Sequence, residues 1–77
     1  MQVHAFRGQG RVFGFTERSG AENLPARFGP WAPFKIIELV RGEPHIGVRT
    51  DECLDDIEQY GFHLTDAHVR ITGDATD

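Results

Sequence analysis

The chain has 77 residues, 39% of them hydrophobic, and a net charge of −4, which fits one small globular domain and excludes a disordered or multidomain chain. No apolar run approaches the ~20 residues of a membrane span, and the N-terminus lacks the basic-then-apolar order of a signal peptide. The single cysteine, Cys53, has no partner for an internal disulfide, which points to a cytoplasmic protein rather than a secreted mini-protein.

Residues Gln2 to Arg7 and Arg11 to Thr16 alternate between apolar and polar positions around Gly8-Gln9-Gly10. The pattern reads as a β-hairpin, with Val3 and Ala5 on one face of its first strand and His4 and Phe6 on the other. Phe13 and Phe15 share a face of the second strand, opposite Val12 and Gly14. From Ser19 to Pro33, Gly20, Pro25, Gly29, Pro30 and Pro33 exclude a long regular element, although Ala21 to Phe28 allows a short helical turn. Leu24, Phe28 and Trp31 make this loop too apolar to stand in water, so it is expected to fold back onto the sheet.

Phe34 to Val40 is dense in β-branched and aromatic residues and reads as a strand buried on much of both faces. Gly42-Glu43-Pro44 is a turn by composition, and His45 to Arg49 reads as a short return strand. A helix follows, capped by Thr50 or Asp51, with Cys53, Leu54, Ile57 and Tyr60 on its inner face. Gly61 stops it, and Ile57 is expected to touch Phe62 in a Schellman closure. His68 to Thr72 is a final strand. The expected fold is α+β, in the order β-β-loop-β-β-α-β. Its mostly antiparallel sheet packs against one helix in a single domain over residues 1–72, followed by a frayed acidic tail, 73–77.

Charge is divided along the chain. Residues 1–49 carry seven basic side chains against four acidic ones, and residues 50–77 carry one against eight. Such a split steers charged partners. An acidic inhibitor or immunity-type protein, whose acidic helix with Asp55 and Asp56 plugs a basic site, is one reading; a solvated helix face is the plainer one. His4, His45, His63, His68 and Cys53 lack any metal-ligand framework, so no metal and no cofactor are expected. Cys53 lies on the inner helix face, where it is a small core residue without an adjacent base.

So short a chain buries about 60–65% of its unfolded surface, and a deep catalytic pocket would hollow out its core. No catalytic residues are therefore assigned. One helix covers one sheet face, which leaves the other to the loop, to a partner or to polar residues. The expected function is a non-enzymatic protein-interaction module, self-association included, with Arg27, Phe28 and Trp31 as partner contacts. The alternative is single-stranded nucleic-acid binding on Arg11, Phe13 and Phe15, two rings to stack bases and a cation for phosphate. The run Arg11-Val12-Phe13-Gly14-Phe15 resembles the RNA-binding strand motif of cold-shock domains, where a basic residue and a glycine precede Phe-Gly-Phe. Val12 replaces that glycine, the likeness covers about six residues, and the rest of the chain does not follow that family's five-strand plan. Acidity also opposes it, because nucleic-acid affinity rests on cations.

Overall fold

Strict alternation and a glycine-bearing turn fold the first sixteen residues into a hairpin, β1 (Gln2–Arg7) and β2 (Val12–Thr16), in which Ala5 lies opposite Phe15 and Phe6 opposite Gly14. The faces of both strands are those that their alternation dictates. The computed structural model describes residues 1–66 and the backbone of residues 69–71. The further elements are β3 (Ala32–Glu38), the helix α1 (Thr50–Tyr60), β4 (His63–Asp66) and β5 (Val69–Ile71). Four strands form an antiparallel sheet in the order β3-β1-β2-β4, which β5 extends beyond β4. With α1 packed on one face, the fold is α+β. Among the described residues no helix is long and apolar enough to cross a membrane.

The sheet carries a core on each side. Val3, Ala5, Phe15, Ile37 and Leu39 meet Cys53, Leu54 and Ile57 under α1. On the other face Phe6, Leu24 and Leu64 form a second cluster, with Phe28, Trp31 and Phe62 packed around it. The Gly- and Pro-rich segment thus folds back as its apolar content requires, through a short 3-10 turn at Ala26–Phe28. Gly14 makes this possible. A Cβ there would stand 3.0 Å from both Leu24 and Trp31, tighter than ordinary contact, so the absence of a side chain lets the loop pack this closely. Asn23 Nδ2 donates to Gly61 O (2.8 Å), and Thr16 Oγ1 donates to Asn23 Oδ1 (3.1 Å), tying the start of the loop to the end of the helix.

The middle of the chain differs from the sequence reading. His45 to Arg49 is not a strand: His45 and Val48 form a single bridge across a turn, where Gly47 takes φ +80°. The fourth strand comes instead after the helix, and β4 pairs with β2 rather than with β3. The order is therefore β-β-loop-β-α-β-β. β3 begins two residues earlier than expected and is not buried on both faces. It is the sheet's edge, with Phe34 48% and Ile36 59% exposed and Ile37 its buried residue. A run of β-branched and aromatic side chains does not distinguish a central strand from an edge.

The helix ends also need correction. Arg49 occupies the N-cap and makes no side-chain cap bond; Thr50 is the first helical residue, and its buried Oγ1 has no partner among the described residues. At the other end Gly61 takes φ +89°, as the stop requires, and its N–H donates to Ile57 O at 2.9 Å. That single bond is the simpler left-handed closure rather than the Schellman pair, and Phe62 packs on the opposite cluster, away from Ile57. Tyr60 is exposed, and Asp56 takes an inward position in α1. Of the expected last strand, His68 and Thr72 lie outside the described residues, as does the 73–77 tail.

Candidate functional site

α1 covers only part of its sheet face. The remainder, over β2, β4 and the start of β3, is open. Arg7 lies opposite Phe13 on this side. The β1–β3 register shifts between Ala5 and Phe6, where Lys35 pairs with Ala5 and Pro33 with Phe6. The bulge leaves Phe34 unmatched and turns it to the same side as its neighbour Lys35. Phe34 meets Phe13 edge-on at 5.3 Å. The Arg7 guanidinium stands 5.5 Å from the Phe13 ring centre and 5.3 Å from that of Phe34, with Lys35 Nζ 5.3 Å from the latter. A groove of about 280 Å³ runs from these rings past Ile46 and Val48 to Thr65. Ile46, 94% exposed, stands on its wall.

Phe15, Val48 and Thr65 join this groove to a second cleft, of about 320 Å³, whose lining also includes His45, Arg49, Glu52 and His63. His63 is 2% exposed. Its Nδ1–H donates to Asp56 Oδ2 at 2.7 Å; the tautomer follows from the carboxylate, which only accepts. Among the described residues no three His, Cys, Asp or Glu side chains are gathered closely enough to hold a metal ion. Cys53 offers no nucleophile: burial, reinforced by the Asp56 charge, pushes its thiol up to about 12.

The ion pairs fall unevenly. Arg41 binds Asp55 (2.9 Å) and Glu58 (3.5 Å), Arg18 lies near Glu22 and Arg49 near Glu52. Among the described residues Arg7, Arg11, Arg27 and Lys35 have no carboxylate within 4 Å; three of these four stand over aromatic rings instead. They gather at one end of the sheet. Arg7 and Arg11 flank the β1–β2 turn, whose Gln9 N–H donates to Phe28 O of the loop (2.8 Å). Asp66, opposite Val12, is the acid that the register places at this end.

The residues singled out from sequence separate. Trp31 is half-buried on the loop side and its Nε1–H donates to Pro25 O at 2.9 Å, while Arg27 is exposed over the half-buried Phe28 at 4.9 Å. Phe13 belongs to the ring cluster. Phe15 does not join it as a stacking surface: it is buried under the helix and faces His63, ring centres 5.5 Å apart. Arg11 is exposed just before β2. The acidic helix face is largely engaged, with Asp55 and Glu58 held by Arg41 and Asp56 turned inward. Arg7, Phe34 and Lys35 were missed because a bulge, not a sequence repeat, brings them together. Asp56 had a signal, since it falls three residues after Cys53 on the apolar stripe.

The outer edge of β3 completes the surface. Met1 and Leu39 exchange both backbone bonds, Leu39 N–H to Met1 O (2.9 Å) and the Met1 amino group to Leu39 O (2.7 Å). Ladder bonds of an antiparallel pair recur at every second residue. Ile37 and Lys35 therefore turn their backbone groups toward β1, and Ile36 and Glu38 turn theirs outward. Comparison with protein-family models, curated proteins and solved structures returns no match for this chain.

Proposed function

We propose that this protein is a small, non-enzymatic interaction module that docks through the open edge of β3, first of all onto a second copy of itself. The observation that carries the reading is that edge. Among the described residues, Ile36 and Glu38 turn unpaired backbone N–H and C=O groups outward, beside the exposed side chains of Phe34, Ile36 and Val40. An edge of this kind is a template for strand addition. Antiparallel pairing about Ile36 is in phase with the ladder and sets Ile36 beside Ile36 of the other copy. Pro33 and the charges of Lys35 and Glu38 restrict which strands add there. Arg27 and Phe28 remain proposed contacts at the adjoining end, whereas Trp31 serves the loop packing.

Sedimentation velocity over a wide concentration range tests this. The expected result is a concentration-dependent dimer that Ile36→Lys abolishes with the melting temperature unchanged. A chain that stays monomeric at the highest concentrations, or a dimer indifferent to Ile36→Lys, overturns it.

A second reading is favoured by one specific observation, the stacking of Arg7 and Lys35 on Phe13 and Phe34. Rings with unpaired cations beside them stack bases and neutralise phosphates. On this reading single-stranded nucleic acid lies along Phe13 and Phe34, with Arg7 and Lys35, and Arg11 at the turn, in place of the Arg11-Phe13-Phe15 set. Fluorescence anisotropy with short labelled oligonucleotides at low salt tests it. Binding that weakens steeply with salt and falls with Phe34→Ala supports it; no binding removes it.

A further inference from the structure

We infer that the cleft floored by His63 binds a small, neutral aromatic or heteroaromatic ring carrying one O–H or N–H group. The argument starts from the imidazole. His63 is almost fully buried, and one of its nitrogens is committed to Asp56. With Nδ1–H donating to the carboxylate, Nε2 of the neutral imidazole is an acceptor. Nε2 makes no hydrogen bond among the described residues, yet it is not one of the sealed, partnerless atoms, a condition that falls to Thr50 Oγ1. His63 lines the cleft, so Nε2 is the polar atom that it presents there.

The rest of the cleft selects the body of the ligand. Phe15 and Val48 give it apolar walls, and the tilted Phe15 ring stands 5.5 Å from the imidazole. A flat ring fits between such walls, and about 320 Å³ lies at the lower end of the range of ligand pockets. The rim carries one cation and one carboxylate, Arg49 and Glu52, within 3.9 Å of each other. The two rim charges offset each other, and the Asp56 carboxylate behind the imidazole disfavours an anion. A neutral ring whose donor reaches Nε2 satisfies the floor, the walls and the rim together.

The probe pair is p-cresol and 4-methylanisole, which match in shape except that the second has no O–H. The full chain, labelled with ¹⁵N at histidine, is titrated with each and followed by NMR. p-Cresol is expected to move the His63 Nε2 resonance saturably and to bind about five- to tenfold tighter than 4-methylanisole, the worth of one hydrogen bond. His63→Gln removes the acceptor but disturbs a buried pair, so Val48→Phe, which fills the cleft and leaves Asp56 and His63 in place, is the second variant. It is expected to abolish saturable binding with the Nδ1 signature of the Asp56 bond retained. Equal affinity for the two probes, an unmoved Nε2 resonance, or undiminished binding by Val48→Phe each overturns the assignment.

Discussion

Asp56 and His63 are seven residues apart, and the left-handed turn at Gly61 folds β4 back against α1 so that their hydrogen bond closes at 2.7 Å. The bond lies in the interior, where removing one partner leaves the other without water. Asp56→Ala is therefore expected to destabilise the protein by about 2–3 kcal/mol, and Asp56→Asn, whose amide oxygen still accepts from Nδ1–H, by clearly less. Urea denaturation of the three proteins measures both. Equal losses would mean that neither the volume of the side chain nor a neutral acceptor oxygen is enough, and that the carboxylate charge holds the pair. The apolar spacing of Cys53, Leu54 and Ile57 identified the inner stripe of the helix, and Asp56 sits on that stripe. It reads as one more acid in an acidic helix only while each residue is judged by its chemistry. Judged by position, an acid on the apolar face, with a histidine just past the helix stop, asks for a partner.

At the scale of elements the two ends of α1 differ in quality. Its N-cap, Arg49, makes no side-chain cap bond, so backbone N–H groups of the first turn go without the acceptor that Ser, Thr, Asn or Asp supplies. Arg49→Asp is expected to raise stability by about 0.5–1 kcal/mol, adding both a cap and a favourable charge at the positive end of the helix. The Arg49–Glu52 pair that it removes is exposed and 3.9 Å long, too weak to reverse the sign. A thermal melt that does not move upward would show that the first turn is already satisfied. The C-terminal stop works in the opposite sense. Gly61→Val places a β-branched residue at φ +89° and is expected to cost about 1 kcal/mol or more.

These elements were unequally legible. The first hairpin and the helix are local: alternation, a turn and 3.6-residue spacing specify them within a dozen residues. The partners of Phe34–Val40 are not local. A β-rich run followed by a turn reads as half of a hairpin, and nothing in its composition says that it will return to pair with β1, thirty residues earlier, or become an edge. The bulge that gathers Phe34 with Arg7 and Phe13 depends on that pairing, and so the cation–aromatic cluster was out of reach with it.

At the scale of the whole molecule, the argument that one helix leaves one sheet face uncovered finds its answer within the chain. The loop provides a second layer: Leu24 is buried, Trp31 and Phe28 pack around it, and Gly14 yields the space. On the proposed reading, the surfaces for association are consequently the edge of β3 and the part of the helix-side face that α1 does not reach, rather than the loop-side face. The arrangement also separates charge. Cations stacked on rings collect near the β1–β2 turn, while Asp55 and Glu58 surround Arg41 over the helix.

If the loop is a core layer, its removal should act on the entire fold rather than on the loop alone. Trp31→Ala deletes a large half-buried ring from the smaller cluster and leaves Pro25 O without its donor. A loss of about 2–4 kcal/mol is expected, somewhat below that of a fully buried aromatic because Trp31 is half-buried. Trp31→Phe separates the two contributions, because it keeps most of the ring and loses only the bond to Pro25 O, at about 1 kcal/mol. Native-state hydrogen exchange gives the discriminating readout. Amides of β1, β2 and α1 should lose protection together in Trp31→Ala, since the sheet is shared by both clusters. Faster exchange confined to residues 21–31, with α1 unchanged, would make the loop an ornament on a fold that the helix alone supports.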